Sequence, residues 1–118
     1  MPNPRIRRYT RHGTLLQLVA LETTARLGSC SKAAEALHLS QPAISMMNKK
    51  LSEAVGIPLL QSNKKRLEAT AAGEEMIRVA KEVLELLEAL EQKLAPLRDL
   101  PPLRKERLHL LASESIIQ

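Results

Sequence analysis

The sequence predicts a mostly α-helical chain of three short helices, a two-stranded β-hairpin and one long helix. Apolar residues recur at helical spacing through most of its length, and Gly28 and Gly56 each stand where such a run stops. The core must be built from Leu, Ala, Val, Ile and Met, because there is one Tyr and no Phe or Trp; that set suits helix packing better than a sheet sandwich. With 118 residues, 44% hydrophobic and 26% charged, the composition is that of one globular domain plus at most one projecting element.

Residues 1–13 hold two Pro, a Gly and Arg5, Arg7, Arg8 and Arg11 without apolar periodicity, and read as a basic arm. The first helix starts at Thr14, with Leu15, Leu18, Val19, Leu21 and Ala25 on its apolar side, and stops at Gly28. Ser29 and Ser31 offer capping oxygens for a short second helix over Lys32 to Leu37, in which Ala33, Ala34 and Leu37 face inward. Its brevity suggests half of a helix-turn-helix. A third helix follows, capped by Ser40 and carrying Pro42 in its first turn, where the missing N–H costs no hydrogen bond. Ile44, Met47, Leu51 and Val55 form its apolar stripe, leaving Pro42, Ser45, Met46, Lys49 and Lys50 opposite.

Ile57 to Leu60 and Leu67 to Ala69 read as two short strands joined by a basic loop, a wing. Residues 14–70 thus make up a winged helix-turn-helix. Thr70 caps a long helix over about 71–95 with Glu74 and Glu75 near its start, where they complement the helix dipole. Pro96, Pro101 and Pro102 then mark a hinge in residues 96–118, and Leu108 to Ala112 form a small strand or helix.

Stepping four and three residues alternately from Met76 meets Ala80, Val83, Leu87, Leu90, Leu94 and Leu97, all apolar, which is the coiled-coil frame. Such a helix is roughly 37 Å long at about 1.5 Å per residue, more than a small helix-turn-helix body covers. Two partners fit the stripe: its own domain, or a second copy. The length favours the second copy, so Met76, Ala80, Val83, Leu87, Leu90 and Leu94 are the expected dimerisation residues of a homodimer.

Charge is divided unevenly. Residues 1–70 carry 11 basic and 4 acidic side chains, and residues 71–118 carry 7 and 9. The first part is the candidate surface for a polyanion, although any one cationic run also reads as a solvated face. The helix-turn-helix reading puts the third helix in the major groove of double-stranded DNA, where Gln41 suits adenine, Pro42 touches a thymine methyl and Ser45 donates or accepts. Lys49 and Lys50 suit phosphates, as do the helix starts near Ser31 and Ser40. For Ser31, Ser40 and Pro42 plain capping is the competing reading, and both roles are compatible.

Chemistry other than binding finds few residues. His12, His38 and His109 stand 26 and 71 residues apart, and Cys30 is the lone cysteine, so no metal-ligand spacing or disulfide arises and Cys30 reads as a buried thiol. There is no Gly-rich phosphate loop and no G-x-S-x-G elbow, so neither an enzyme nor a cofactor is expected. No run nears the about 18 apolar residues of a membrane span, and no signal-peptide region follows the basic start; a reducing cytoplasm is the expected setting.

The run from Gly28 to Ser45, together with Val55-Gly56-Ile57-Pro58-Leu59-Leu60 and Thr70-Ala71-Ala72-Gly73-Glu74, resembles the N-terminal DNA-binding domain of LysR-type transcriptional regulators over residues 15 to about 95. The stretch Ser45 to Leu51 with Val55 to Gln61 is similar to regulators of carbon-fixation (RuBisCO) operons in particular. The resemblance implies a winged helix-turn-helix, a linker helix that dimerises, and then a domain that binds a small-molecule co-inducer, of which Leu108 to Ser113 resembles the first strand; on this reading the chain is a truncated regulator. Tetramers of the full-length protein are implied in the same way. Carried over, Gln41, Pro42, Ser45, Met46 and Lys49 fall on the base-reading surface. Phosphates are expected at Ser31, Lys32, Ser40, Lys50, Lys64, Lys65 and Arg66. Leu21, Cys30 and Leu60 stand where the family usually has Phe, which implies a smaller or repacked core. Met46 and Ser62 stand where relatives often carry Arg, and Lys64, Lys65 and Arg66 are the cations able to compensate.

The function expected is therefore a sequence-specific regulator that binds a pseudo-palindromic operator as a dimer. A winged-helix adaptor that recruits a protein through its helical rod is the alternative from another class. RNA binding ranks below both, since single-strand recognition relies on stacking aromatics and Tyr9 is the one aromatic present.

Overall fold

Capping residues explain where each helix begins and ends in the computed structural model, which describes Tyr9 and residues 13–99. Helix α1 spans Thr14–Leu27 and ends at Gly28, whose φ of 76° lets its N–H turn back to the Thr24 carbonyl. Helix α2 spans Cys30–Leu37, starting two residues before the expected Lys32, because Ser29 is its cap and its Oγ accepts from the Lys32 N–H at 3.2 Å. His38, at φ 57°, closes α2, and its successor's N–H reaches the Ala34 carbonyl at 3.0 Å. Helix α3 spans Gln41–Val55 between Ser40 and Gly56, with Ser40 Oγ accepting from the Ala43 N–H at 3.2 Å.

Strands β1 (Leu60–Asn63) and β2 (Arg66–Ala69) pair antiparallel, with Leu60 opposite Ala69 and Asn63 opposite Arg66. The first strand therefore starts at Leu60 and not at the expected Ile57. Leu59 is drawn into the core instead, and its backbone is held from two sides: its N–H donates to Ser52 Oγ at 3.4 Å and its carbonyl accepts from the Thr70 N–H at 3.0 Å. Thr70 also donates its hydroxyl to the Pro58 carbonyl at 2.7 Å and caps Gly73 N–H at 3.1 Å. One threonine thus closes the wing and starts helix α4, Ala71–Leu94, which a 3-10 turn, Ala95–Asp99, follows.

Two apolar clusters hold these elements. Leu18 and Leu21 of α1 meet Leu51, Leu59 and Ala80, while Ala20 meets Ala33, Ala34 and Ile44, with Cys30, Leu37 and Met47 half-buried around them. Each fully buried Leu or Ile stabilises the fold by about 1.5–3 kcal/mol, and alanines at the α1–α2–α3 crossing let the three backbones approach. The buried side of α1 is not the expected all-apolar one. Gln17, Thr23 and Thr24 are buried, whereas Leu15 is 43% exposed. Thr23 satisfies its hydroxyl on the Val19 carbonyl at 2.8 Å, and Thr24 accepts from Asn48 Nδ2 of α3 at 3.0 Å.

The chain divides into two units, one through Leu84 and one from Glu85. In the second, Leu86, Leu87, Leu90, Leu94 and Leu97 are exposed, and Arg98 pairs with Glu91. The Arg98 guanidinium donates to the Glu91 carboxyl and holds it below the usual carboxylate range. The basic arm before Gly13, apart from Tyr9, and the segment at Leu108 to Ala112 lie outside the described residues.

Candidate nucleic-acid interface

The outer face of α3 follows from what its inner face must bury. Ile44, Asn48 and Leu51 are enclosed, so residues three and four apart on the other side, Gln41, Pro42, Ser45, Met46 and Lys49, are all exposed. Gln41, Ser45 and Lys49 stand on one ridge, a turn apart. Lys50 is exposed too, but on the flank where Gln17, Glu53 and Ala54 also lie, away from that ridge. Ser31 and Lys32 are exposed in the first turn of α2, where Ser29 rather than Ser31 is the cap. Ser40 Oγ is engaged in capping α3, and Met46 presents a thioether where a cation would extend the basic ridge.

The wing tip has an unusual backbone. Two residues, Lys64 and Lys65, join the paired positions Asn63 and Arg66, and both have positive φ, 51° and 67°. That is the signature of a type I′ turn, which normally takes Asn-Gly because side chains with a Cβ are strained there. Strain of this kind persists where the surrounding structure imposes it, here the pairing of Asn63 with Arg66 on either side of the turn.

Charge pairing sharpens the picture. Among the described residues the ion pairs are Arg26 with Glu22, Arg78 with Glu75 and Glu82, and Arg98 with Glu91. Among the described residues Lys32, Lys49, Lys50, Lys64 and Lys65 have no carboxylate partner, and the wing's own acid, Glu68, accepts from Gln61 and Asn63 at 3.4 and 3.3 Å. Arg78 is held above the usual arginine range, chiefly by hydrogen bonding to Glu75, so its charge is spent on its own helix.

Two expected assignments change. Arg66 is not grouped with Lys64 and Lys65: its Nη2 donates to the Arg26 carbonyl at 3.2 Å, and its guanidinium lies over Gly28. Ala80, expected on a dimer seam, is 1% exposed within the cluster of Leu18, Leu21, Leu51 and Leu59, so it cannot meet another chain; Met76 is half-buried against the same cluster. Val83 is half-buried, and Leu87, Leu90 and Leu94 are exposed. Sequence patterns missed the contact that holds α3 from behind, Asn48 Nδ2 to Thr24 Oγ1, with Cys30 Sγ 3.9 Å from the same nitrogen. Its only trace in the sequence is that Asn48 interrupts the inner face of α3.

Among the described residues no three His, Cys, Asp or Glu side chains gather as a metal set, and no helix is long and apolar enough to cross a membrane.

Residues 15–74 match the family described as bacterial regulatory helix-turn-helix protein, lysR family. A RuBisCO operon transcriptional regulator of Acidithiobacillus ferrooxidans is 42% identical over 90 residues, 76% of this chain and 29% of that protein. The HTH-type transcriptional activator CmpR of Synechocystis is 35% identical over 100 residues, 85% of this chain and 32% of that protein. The chain thus spans about a third of the length of these relatives or less. Among solved structures, the CbnR DNA-binding domain in complex with DNA aligns with a TM-score of 0.62 at 32% identity, over 67% of this chain and 91% of that one. The BenM DNA-binding domain on its catB site aligns at 0.67 with 23% identity, over 75% of this chain and 98% of that one, a likeness of fold. With three helices, a wing and a long following helix in common, and more than half of its length matched, the chain belongs to the LysR family of bacterial regulatory helix-turn-helix proteins.

Proposed function

We propose that this chain is the DNA-binding part of a transcriptional regulator that recognises a pseudo-palindromic operator as a homodimer, in the cytoplasm. In this reading α3 enters the major groove, Gln41, Pro42, Ser45, Met46 and Lys49 meet base edges, and Ser31, Lys32, Ser40, Lys50, Lys64 and Lys65 meet phosphates. Residues 14–70 are the reading head and residues 71–95 the dimerising helix. The exposed leucines at 87, 90 and 94, with Val83, are the pairing surface. One observation carries the DNA reading: Lys32, Lys49, Lys50, Lys64 and Lys65 of the helix-turn-helix and wing are exposed and, among the described residues, have no carboxylate partner, two of them held on a strained turn. The relatives named for RuBisCO operons support a promoter of that class as the first target to try.

Selection of bound duplexes from a random pool, followed by anisotropy titration over a range of salt, tests this reading. The expected outcome is an enriched inverted repeat and a log–log salt slope near −3.6 per protomer, at about −0.9 for each of the four lysines assigned to phosphates. Binding that ignores salt, or a pool with no enriched repeat, overturns it.

A further inference from the structure

The Arg66 side chain opens β2 directly after the wing tip, yet it turns back toward the helix-turn-helix. Its guanidinium carbon, Nη1 and Cγ lie where a Cβ on Gly28 would fall, 2.6–2.7 Å away, so only a glycine admits it. Its Nη2 donates to the Arg26 carbonyl at 3.2 Å, in the last turn of α1, where carbonyls lack helical partners and a cation complements the dipole. The next backbone N–H, that of Leu67, donates to the Gly28 carbonyl at 3.0 Å. A two-stranded hairpin has little stability by itself, so these contacts decide where the tip stands. They anchor it to the turn that leads into Ser29, the cap of α2, and hence to Ser31 and Lys32.

The geometry points to Arg66 as a positioning residue: a strut that holds Lys64 and Lys65 in register with the start of α2 and does its work in DNA binding through them. The inference rests on the DNA-binding reading above. Lysine cannot replace the strut, because lying flat over Gly28 while reaching a carbonyl needs the planar fork of a guanidinium.

Four forms of the full chain decide it on one selected duplex: R66K, R66M, the pair K64M/K65M, and that pair with R66M added. R66K and R66M are expected to bind about 8-fold more weakly at 0.1 M salt, the share of one phosphate contact, even though R66K keeps the charge. R66M is expected to cost nothing more in the K64M/K65M background, because an effect exerted through two side chains vanishes with them. Amide exchange without DNA is expected to show the Leu67 N–H losing protection in both single variants while α3 keeps its own. If R66K binds as the wild type does, or if R66M costs the same factor in both backgrounds, Arg66 touches phosphate or acts on stability alone, and the strut is refuted. Should the wild type fail to bind DNA, the functional reading falls, while unchanged Leu67 exchange in R66K and R66M still counts against the strut.

Discussion

Replacing the wing tip Lys64-Lys65 by Asn-Gly pits backbone strain against charge. Both lysines sit at positive φ, where an L side chain is disfavoured by about 1–2 kcal/mol, whereas Asn tolerates the region and Gly is unrestrained. Gly at the second position also loosens the unfolded chain, which takes back about 0.5–1 kcal/mol. The net expectation is a gain of about 1 kcal/mol, or about 4–8 °C in melting temperature for a domain of this size. The same change removes two cations from the proposed phosphate surface. At 0.1 M salt each contact contributes about 0.9 log units, so affinity should fall about 60-fold and the salt slope should flatten by about 1.8 per protomer. Thermal denaturation followed by circular dichroism reads the first effect, and anisotropy over a salt series reads the second. The variant K64M/K65M separates them, because it keeps the strain and loses the charge. A fall in melting temperature for Asn-Gly refutes the strain argument; an unchanged slope refutes the role of the tip.

Other positions answer to simpler tests. Gly73→Ala places a Cβ on the Leu59 carbonyl oxygen and 3.2 Å from Ala69 Cβ, so α4 must shift; a loss of about 2–3 kcal/mol in urea denaturation is expected. Asn48→Ala strands the Thr24 hydroxyl and should lose about 1–3 kcal/mol, whereas Thr24→Val with Asn48→Leu removes both partners and should stay within about 1 kcal/mol of the wild type. Gln41→Ala or Ser45→Ala should change the ranking of operator variants, while Lys65→Met should weaken all of them by one factor; equal losses everywhere for both kinds of change would separate base reading from these residues. Leu87→Asp with Leu90→Asp should turn a dimer into a monomer in sedimentation and remove the concentration dependence of melting; a wild type already monomeric contradicts the pairing surface.

Local chemistry made the helix boundaries legible. Gly28, Ser40, Pro42, Gly56 and Thr70 act where their backbone preferences direct, since a cap depends on neighbours within four residues. What escaped depends on distant partners. Thr24 and Asn48 lie 24 residues apart, and each alone reads as a surface residue; the bond between them satisfies Asn48 Nδ2 and offsets part of the cost of their burial, while among the described residues Asn48 Oδ1 has no partner. Arg66 follows two lysines, and as a run the three read as one patch. The two-residue turn separates them, because Arg66 is the first residue back in the ladder and the fold sets it beside the end of α1.

The stripe on α4 shows where periodicity stops being informative. A heptad frame says that one face is apolar, not which surface covers it. On α4 side-chain burial holds that missing information. Gly73 and Ala80 stand seven apart and are buried, Gly73 against the Leu59 carbonyl, and Met76 and Ile77 between them pack on the same core. From Leu84 onward every apolar stop is Leu until Ala89, and those at 84, 86, 87, 90 and 94 are exposed. A helix that packs on its own domain early and is free for a second copy late should pass from buried to exposed apolar residues along its stripe, and this one does so between Ala80 and Leu87. Ile77→Ala and Leu90→Ala offer the comparison: the first, at a residue packed on the protomer's core, should lower protomer stability with little effect on pairing, and the second should do the reverse. If both variants changed dimer affinity alike, burial along the stripe would not mark where the helix passes from one partner to the other.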